Sequence, residues 1–255
     1  MRPDMALFLR KISSDFPNIS FAVTTNGSLL DRYAEQLACA RLSDINISLN
    51  TLDEKKFDYL TRGACLGAVL RGIDALLINS DIKSNIKLNT VLLRGFNDGE
   101  IPELLSYAWR RNITPRLIEF MPLGAVWREE FFISGNEVVA SLGGEWIKDE
   151  TRSDADAGPA IYYRNGVSGR RVGFISAVSE HFCSNCNRLR VTAEGDVKSC
   201  LFRAAEISVA ESVRARDKDA VRKKILTAAA MKPAVGMETD GKYKREKKPM
   251  RMIGG

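Results

Sequence analysis

The chain has 255 residues, 45% hydrophobic and 27% charged, which excludes fibrous and disordered classes and fits a globular protein with one large core or a main domain and a smaller partner. Its formal net charge of +6 suits an anionic partner such as a nucleotide. No apolar run of roughly eighteen residues is present to span a membrane, the N-terminal MRPDMALFLR lacks a signal-peptide pattern, and five cysteines is an odd number. The expected compartment is cytoplasmic, with the cysteines reduced or metal-bound.

In chain order, MRPDMALFLRKI reads as a helix. Four β-rich runs follow: ISFAVTTNG (19–27), INISLN (45–50), IKLNTVLL (86–93) and PRLIEFM (115–121). Between them, apolar residues at three- and four-residue spacing predict helices over 29–42, 66–80 and 98–111, the last with Asp98 as its N-cap. Strands alternating with helices imply βαβ units and a parallel sheet. The strand runs read as apolar nearly throughout, as expected where helices cover a sheet. Four strands do not close an eight-stranded barrel, which needs roughly 250 residues. From about residue 122 the pieces become short and irregular, among them GNEVVASLGG, EWIKD, PAIYYRN and RVGFIS. A helical pair over about 204–216 and 218–230 leads to Pro233, and the tail AVGMETDGKYKREKKPMRMIGG has no periodicity and reads as an extended basic segment.

The segment FCSNCNRLRVTAEGDVKSCLF, 182–202, carries the chemistry. Cys183 and Cys186 form a C-x-x-C pair, and Cys200 follows. Zinc in a structural site takes four ligands, so a zinc reading is one short. His181 lies two residues before Cys183, a tight spacing for the same ion, and Cys39 sits in an amphipathic helix where burial is the ordinary expectation. An iron–sulfur cluster held by three cysteines leaves one iron open for a substrate. Arg188 and Arg190, two apart, suit a grip on phosphate or stacking on a base.

This segment closely resembles the C-terminal cluster motif of the GTP 3′,8-cyclase family, radical S-adenosylmethionine enzymes that begin molybdenum cofactor biosynthesis. The C-x-x-C-N-R-L-R core, the T-A-x-G turn and the C-L-F ending all fit. So do TTNG, INISLNTLD, KLNTVLLRGFND, RLIEFM, GPAIYYRNGVSGRRVGFIS and the terminal MRMIGG, so the likeness covers essentially the whole chain. It implies conversion of GTP to (8S)-3′,8-cyclo-7,8-dihydroguanosine 5′-triphosphate. One 4Fe–4S cluster with S-adenosylmethionine would supply the radical, and a second, on Cys183, Cys186 and Cys200, would take GTP at its open iron. It further implies GTP contacts from Thr24, Lys87, Arg188, Leu189 and Arg190, with Arg116 a further phosphate candidate. Ser48 and Met121 would contact S-adenosylmethionine, and the terminal Gly254 and Gly255 would reach into the active site, glycine permitting close backbone approach.

The implied fold class is α/β. It comprises a partial (βα) radical S-adenosylmethionine barrel over 1–121, lacking its first strands, an irregular α+β cluster-binding region over 122–232, and a basic tail over 233–255. The family's C-x-x-x-C-x-x-C motif and its G-G-E-P stretch have no counterpart in the sequence. An N-terminal truncation is therefore expected, with the chain inactive alone and an unpaired strand at one sheet edge. The expected partners are GTP, S-adenosylmethionine, a downstream cyclic pyranopterin monophosphate synthase and a second copy in a homodimer, with neither nucleic acid nor membrane. The alternative is a non-catalytic iron–sulfur or zinc module that binds a purine nucleotide.

Overall fold

The computed structural model describes residues 4–79, 86–123, 127–151, 158–180, 182–205 and 207–234. They fall into two compact units, one drawn from Met1–Phe120 with Phe131–Ser176, the other from Met121–Glu130 with Ala177–Gly255.

The first unit opens with helix α1 (Met5–Asp15) and then alternates β1 (Ala22–Thr25), α2 (Leu30–Ala38), β2 (Asp44–Ser48), α3 (Glu54–Thr61), α4 (Leu66–Asn79), β3 (Ile86–Leu92), α5 (Ile101–Arg110) and β4 (Thr114–Glu119). Each predicted strand and helix is present, with trimmed ends. α3 was not predicted, although Asp53 caps it by accepting from the Lys56 amide at 2.9 Å. Asp98 is not the cap of α5: it opens a 3-10 turn, Asp98–Glu100, and the helix starts only after it. Cys39 likewise is not buried within α2 but stands exposed at its C-terminal end. Gly72 of α4 lies against α2 so closely that a Cβ there would stand 2.6 Å from the Asp31 amide nitrogen.

The sheet is wider than four strands. After helix α6 (Gly135–Ser141) come β5 (Trp146–Lys148), β6 (Ile161–Asn165) and β7 (Arg171–Ile175). They extend the same sheet in the order β1-β2-β3-β4-β7-β6-β5, seven strands among the described residues. β1 to β4 and β7 are parallel neighbours, and β6 and β5 return antiparallel. Strands beyond residue 121 therefore complete the sheet rather than belonging to an irregular second domain, because β7 pairs directly with β4. Among the described strands β1 has only β2 beside it and forms the edge.

One face of the sheet is covered by helices. Ile45, Ile47, Ile86, Leu88, Leu92, Leu117, Val172 and Phe174 are buried on it, each worth about 1.5–3 kcal/mol relative to exposure. The opposite face is polar, which corrects the expectation of strands apolar on both sides. A parallel sheet places registered residues on one face. Thr24, Asn46, Lys87 and Thr114 form one registered row, and Ser48, Asn89, Arg116 and Gly173 the next.

The loops beyond β2 and β3 are tied by two asparagines. Asn97, fully buried, donates to the Asn50 and Val91 carbonyls at 2.7 and 2.8 Å and accepts from the Leu93 amide at 2.8 Å. Asn50 accepts from the Val91 amide at 2.8 Å.

The second unit contains a small antiparallel sheet, β8 (Arg190–Val191), β9 (Asp196–Lys198) and β10 (Ile207–Ser208), followed by helices α7 (Ala210–Arg214) and α8 (Lys218–Ala230). The helical pair is present, the first member much shorter than predicted. Asp217 caps α8 by accepting from the Ala220 amide at 2.9 Å. The core here is small, centred on Val197, Val209 and Ala228.

Candidate functional site

In the first unit the polar face of the sheet gathers Thr24, Ser48 and Lys87. Thr24 is the third residue of β1 and Ser48 the last of β2, as the motifs imply. Lys87 is the second residue of β3, so it does not sit at a C-terminal strand end; the stagger of the strands brings it level with Thr24. Its ammonium is ion-paired with Asp44. Burial pushes the Lys87 ammonium below the usual lysine value, the Asp44 hydrogen bond opposes this, and the Arg116 charge adds to the lowering.

Arg116 is buried on the same face and donates from Nε to the Tyr162 hydroxyl at 2.9 Å and from Nη1 to Asn46 Oδ1 at 3.2 Å. Gly173 leaves room for both partners: a Cβ there would stand 2.8 Å from Tyr162 Cε1 and 3.2 Å from Arg116 Cγ. The Arg171 guanidinium covers the Tyr162 ring at 4.1 Å. Asn89 Oδ1, in the same row as Ser48 and Arg116, is buried with no hydrogen-bond partner among the described residues. An orphaned buried acceptor beside an arginine and a lysine calls for an outside donor. Asp44, Asn46, Asn89 and Tyr162 escaped the sequence reading, although the alternation D-I-N-I-S and K-L-N carried the signal for three of them.

In the second unit the 183–200 segment brings its functional groups together. The C-x-x-C turn closes with the Cys186 amide donating to the Cys183 carbonyl at 3.1 Å. Burial raises the Cys186 thiol, but hydrogen bonds from the Arg188 backbone and side chain, with the Arg188 and Lys232 charges, outweigh it and hold the thiol below its ordinary value. The Arg188 guanidinium also lies 5.0 Å from the centre of the Phe182 ring. Arg190 is pulled below the usual arginine value by burial and by Arg188, and is supported in its charge by both Cys186 and Cys200. Around this segment Lys198 is fully buried, with Nζ donating to the Leu201 carbonyl at 3.3 Å, and Arg203 is 8% exposed. The cations beside Cys186 favour its thiolate, and the surrounding positive charge favours an anionic ligand.

Among the described residues no group of three or more His, Cys, Asp and Glu side chains is arranged to hold a metal ion. A cubane cluster differs from a single ion, since each cysteine binds a different iron and the sulfurs need not meet at a point. Three cysteines on one short segment, two of them sharing the Arg190 charge, fit such a group by donor chemistry. Leu189 lies between the two arginines, partly buried. Met121 falls two residues beyond the end of β4 and belongs to the second unit. His181, Gly254 and Gly255 lie outside the described residues.

A parallel α/β sheet with a polar face, followed by a cationic cysteine segment, is the combination of a radical S-adenosylmethionine enzyme with a cofactor-synthesis extension. Residues 1–108 match the family model described as Radical SAM superfamily, and residues 113–237 the one described as Molybdenum Cofactor Synthesis C. The GTP 3′,8-cyclase of Peptoclostridium acidaminophilum is 41% identical over 237 residues, covering 91% of this chain and 70% of that protein. That of Alkaliphilus oremlandii is 34% identical over 257 residues, covering 100% of this chain and 78% of the relative. Molybdenum cofactor biosynthesis protein 1 of Dictyostelium discoideum is 34% identical over 243 residues, covering 91% of this chain and 37% of that protein. The chain belongs to the GTP 3′,8-cyclase family. The family chemistry rests on 4Fe–4S clusters and S-adenosylmethionine. No described helix is long and apolar enough to cross a membrane.

Proposed function

We propose that this chain serves the conversion of GTP to (8S)-3′,8-cyclo-7,8-dihydroguanosine 5′-triphosphate, and that its second unit holds GTP against a 4Fe–4S cluster. Cys183, Cys186 and Cys200 would hold the group, which when bound would supply an iron for the guanine to coordinate. Arg188, Leu189 and Arg190 hold the nucleotide, and Arg190 balances thiolate charge as well. On the polar sheet face Thr24 and Lys87 contact GTP, Arg116 offers a bidentate grip for phosphate, and Ser48, with Met121, contacts S-adenosylmethionine. By the family likeness, Gly254 and Gly255 reach into the active site. The sequence contains no C-x-x-x-C-x-x-C set, so the reduction of S-adenosylmethionine is assigned to none of its residues. The product passes to a cyclic pyranopterin monophosphate synthase, and the chain pairs as a homodimer, which sedimentation velocity reads directly.

The observation that carries this reading is the gathering of Cys183, Cys186 and Cys200 on one segment with Arg188 and Arg190, its C-x-x-C turn closed by the Cys186 amide at 3.1 Å and a lysine ammonium 3.6 Å from Cys186 Sγ. The test is anaerobic reconstitution with ferrous iron and sulfide, followed by iron and sulfide analysis and calorimetric titration with GTP. The expected result is one cluster per chain and a GTP affinity lost in Cys200→Ala. Tightly held zinc without sulfide, or a Cys200→Ala chain binding GTP as well as the parent, sinks the reading.

A further inference from the structure

Lys232 follows the last residue of α8 and its cap, Met231, yet its side chain serves none of that helix's carbonyls. A cation at a helix C-terminus ordinarily turns to the unsatisfied carbonyls of the last turn. Here Nζ instead donates to the Arg188 carbonyl at 2.6 Å and the Ser199 carbonyl at 3.2 Å, and lies 3.6 Å from Cys186 Sγ. An ammonium has three donors, and each has an acceptor. One acceptor is a cysteine sulfur, one is the carbonyl two residues beyond that cysteine, and one belongs to the residue preceding Cys200. A single cation thus ties the C-x-x-C turn to the strand end that carries the third cysteine. A helix cap would need neither carbonyl, and a solvated lysine would not stand among three acceptors.

We propose that Lys232 is a positioning residue of the cysteine centre. It fixes the spacing of Cys186 and Cys200 and places a hydrogen-bond donor and a positive charge beside the Cys186 sulfur, so that the loaded cluster is held longer and reduced more easily. This rests on the reading that Cys183, Cys186 and Cys200 hold a 4Fe–4S group. Hydrogen bonds to cluster sulfurs and nearby charge set the reduction potential, and outer groups that orient ligands typically govern metal retention by about 10–100-fold.

The test uses the full chain reconstituted anaerobically, with Lys232→Met and Lys232→Arg beside the parent and folding checked by far-UV circular dichroism. Iron loss to a chelator is followed by bleaching of the cluster absorbance, and the midpoint potential is read by redox titration. Lys232→Met is expected to lose iron about 10–100-fold faster and to shift its potential negative, and Lys232→Arg to return both toward the parent. A Lys232→Met chain that matches the parent in retention and potential overturns the proposal. So does faster loss with an unmoved potential that arginine does not repair, since a plain structural tie behaves that way. A parent that takes up no iron and sulfide, indistinguishable from Cys200→Ala, overturns the cluster reading and the proposal together. A parent that loads while Lys232→Met equals it overturns the proposal alone.

Discussion

Gly173→Ala tests whether the polar face of the sheet is built for Arg116. A Cβ at 173 would lie 2.8 Å from Tyr162 Cε1 and 3.2 Å from Arg116 Cγ, the first well inside van der Waals contact. The ring has little freedom to retreat. Tyr162 is 4% exposed, its hydroxyl is bonded to Arg116 Nε at 2.9 Å, and Arg171 covers its face at 4.1 Å. Overpacking of this kind costs about 1–3 kcal/mol. If the ring moves and the charge-assisted bond to Arg116 is lost, about 1.5–3 kcal/mol more is at stake, though the two overlap. The expected total is about 2–4 kcal/mol, or a fall of roughly 5–15 °C in the unfolding midpoint of a chain this size. GTP affinity should fall about tenfold or more in folded protein, because Arg116 is displaced from the face it shares with Lys87.

Thermal unfolding by circular dichroism and calorimetric titration with GTP give the two numbers. The decisive companion is Tyr162→Leu. If the clash is with the ring, the double variant Gly173→Ala, Tyr162→Leu is more stable than the sum of the single effects by at least about 0.5 kcal/mol. A Gly173→Ala chain with the parental midpoint and GTP affinity, or strictly additive effects in the double variant, refutes the argument.

Asp44→Asn leaves Lys87, 7% exposed, without its ion pair, and should cost about 1–3 kcal/mol at neutral pH in chemical denaturation. The folded Lys87 value lies below 10.5, so the unfolded chain binds more protons in the window beneath 10.5 and stability rises with pH there. The Asp44→Asn variant should recover part of its loss as pH climbs toward that limit; a deficit that stays constant or grows means that Lys87 is not the group responsible. Asn97→Ala removes two donors and an acceptor that satisfy buried backbone groups, and should cost about 3 kcal/mol or more by urea titration, with a change below about 1 kcal/mol showing those bonds to be dispensable.

Local structure was legible where local rules decide it. Helices α1, α2, α4 and α5 follow from apolar spacing, and the four strands β1 to β4 from β-rich runs between them. What periodicity could not show was the reach of the sheet. β7 is separated from β4 by the whole of α6, β5 and β6, and only the direct pairing of Arg116 with Gly173 reveals that it continues the parallel order. Pairing of distant segments leaves no periodic trace, so β5 to β7 read as an irregular region. The polar face is a different case. Asp44, Asn46 and Ser48 alternate with Ile45 and Ile47 in plain view, but the expectation that parallel strands are apolar on both sides hid them. That expectation fails where a sheet carries helices on one face and polar side chains on the other.

The cysteine segment shows the same division at finer scale. Spacing identified Cys183, Cys186, Cys200, Arg188 and Arg190, because all lie within one stretch of sequence. It assigned both arginines to the nucleotide alone. In the folded chain Arg188 is already engaged with Cys186 and rests on Phe182, and Arg190 shares its charge with two thiols. A guanidinium carries five N–H donors in a planar fork, so one residue can balance the sulfur and hold an anion at once. Lys232 lies 46 residues from Cys186 along the chain, and no motif announces it. Ligands must be close in sequence to be recognised by spacing, whereas the cations that tune them need only be close in space. The residues most worth testing in this family member are therefore the ones that a motif would pass over: Lys232 at the sulfur, and Tyr162 and Gly173 behind Arg116.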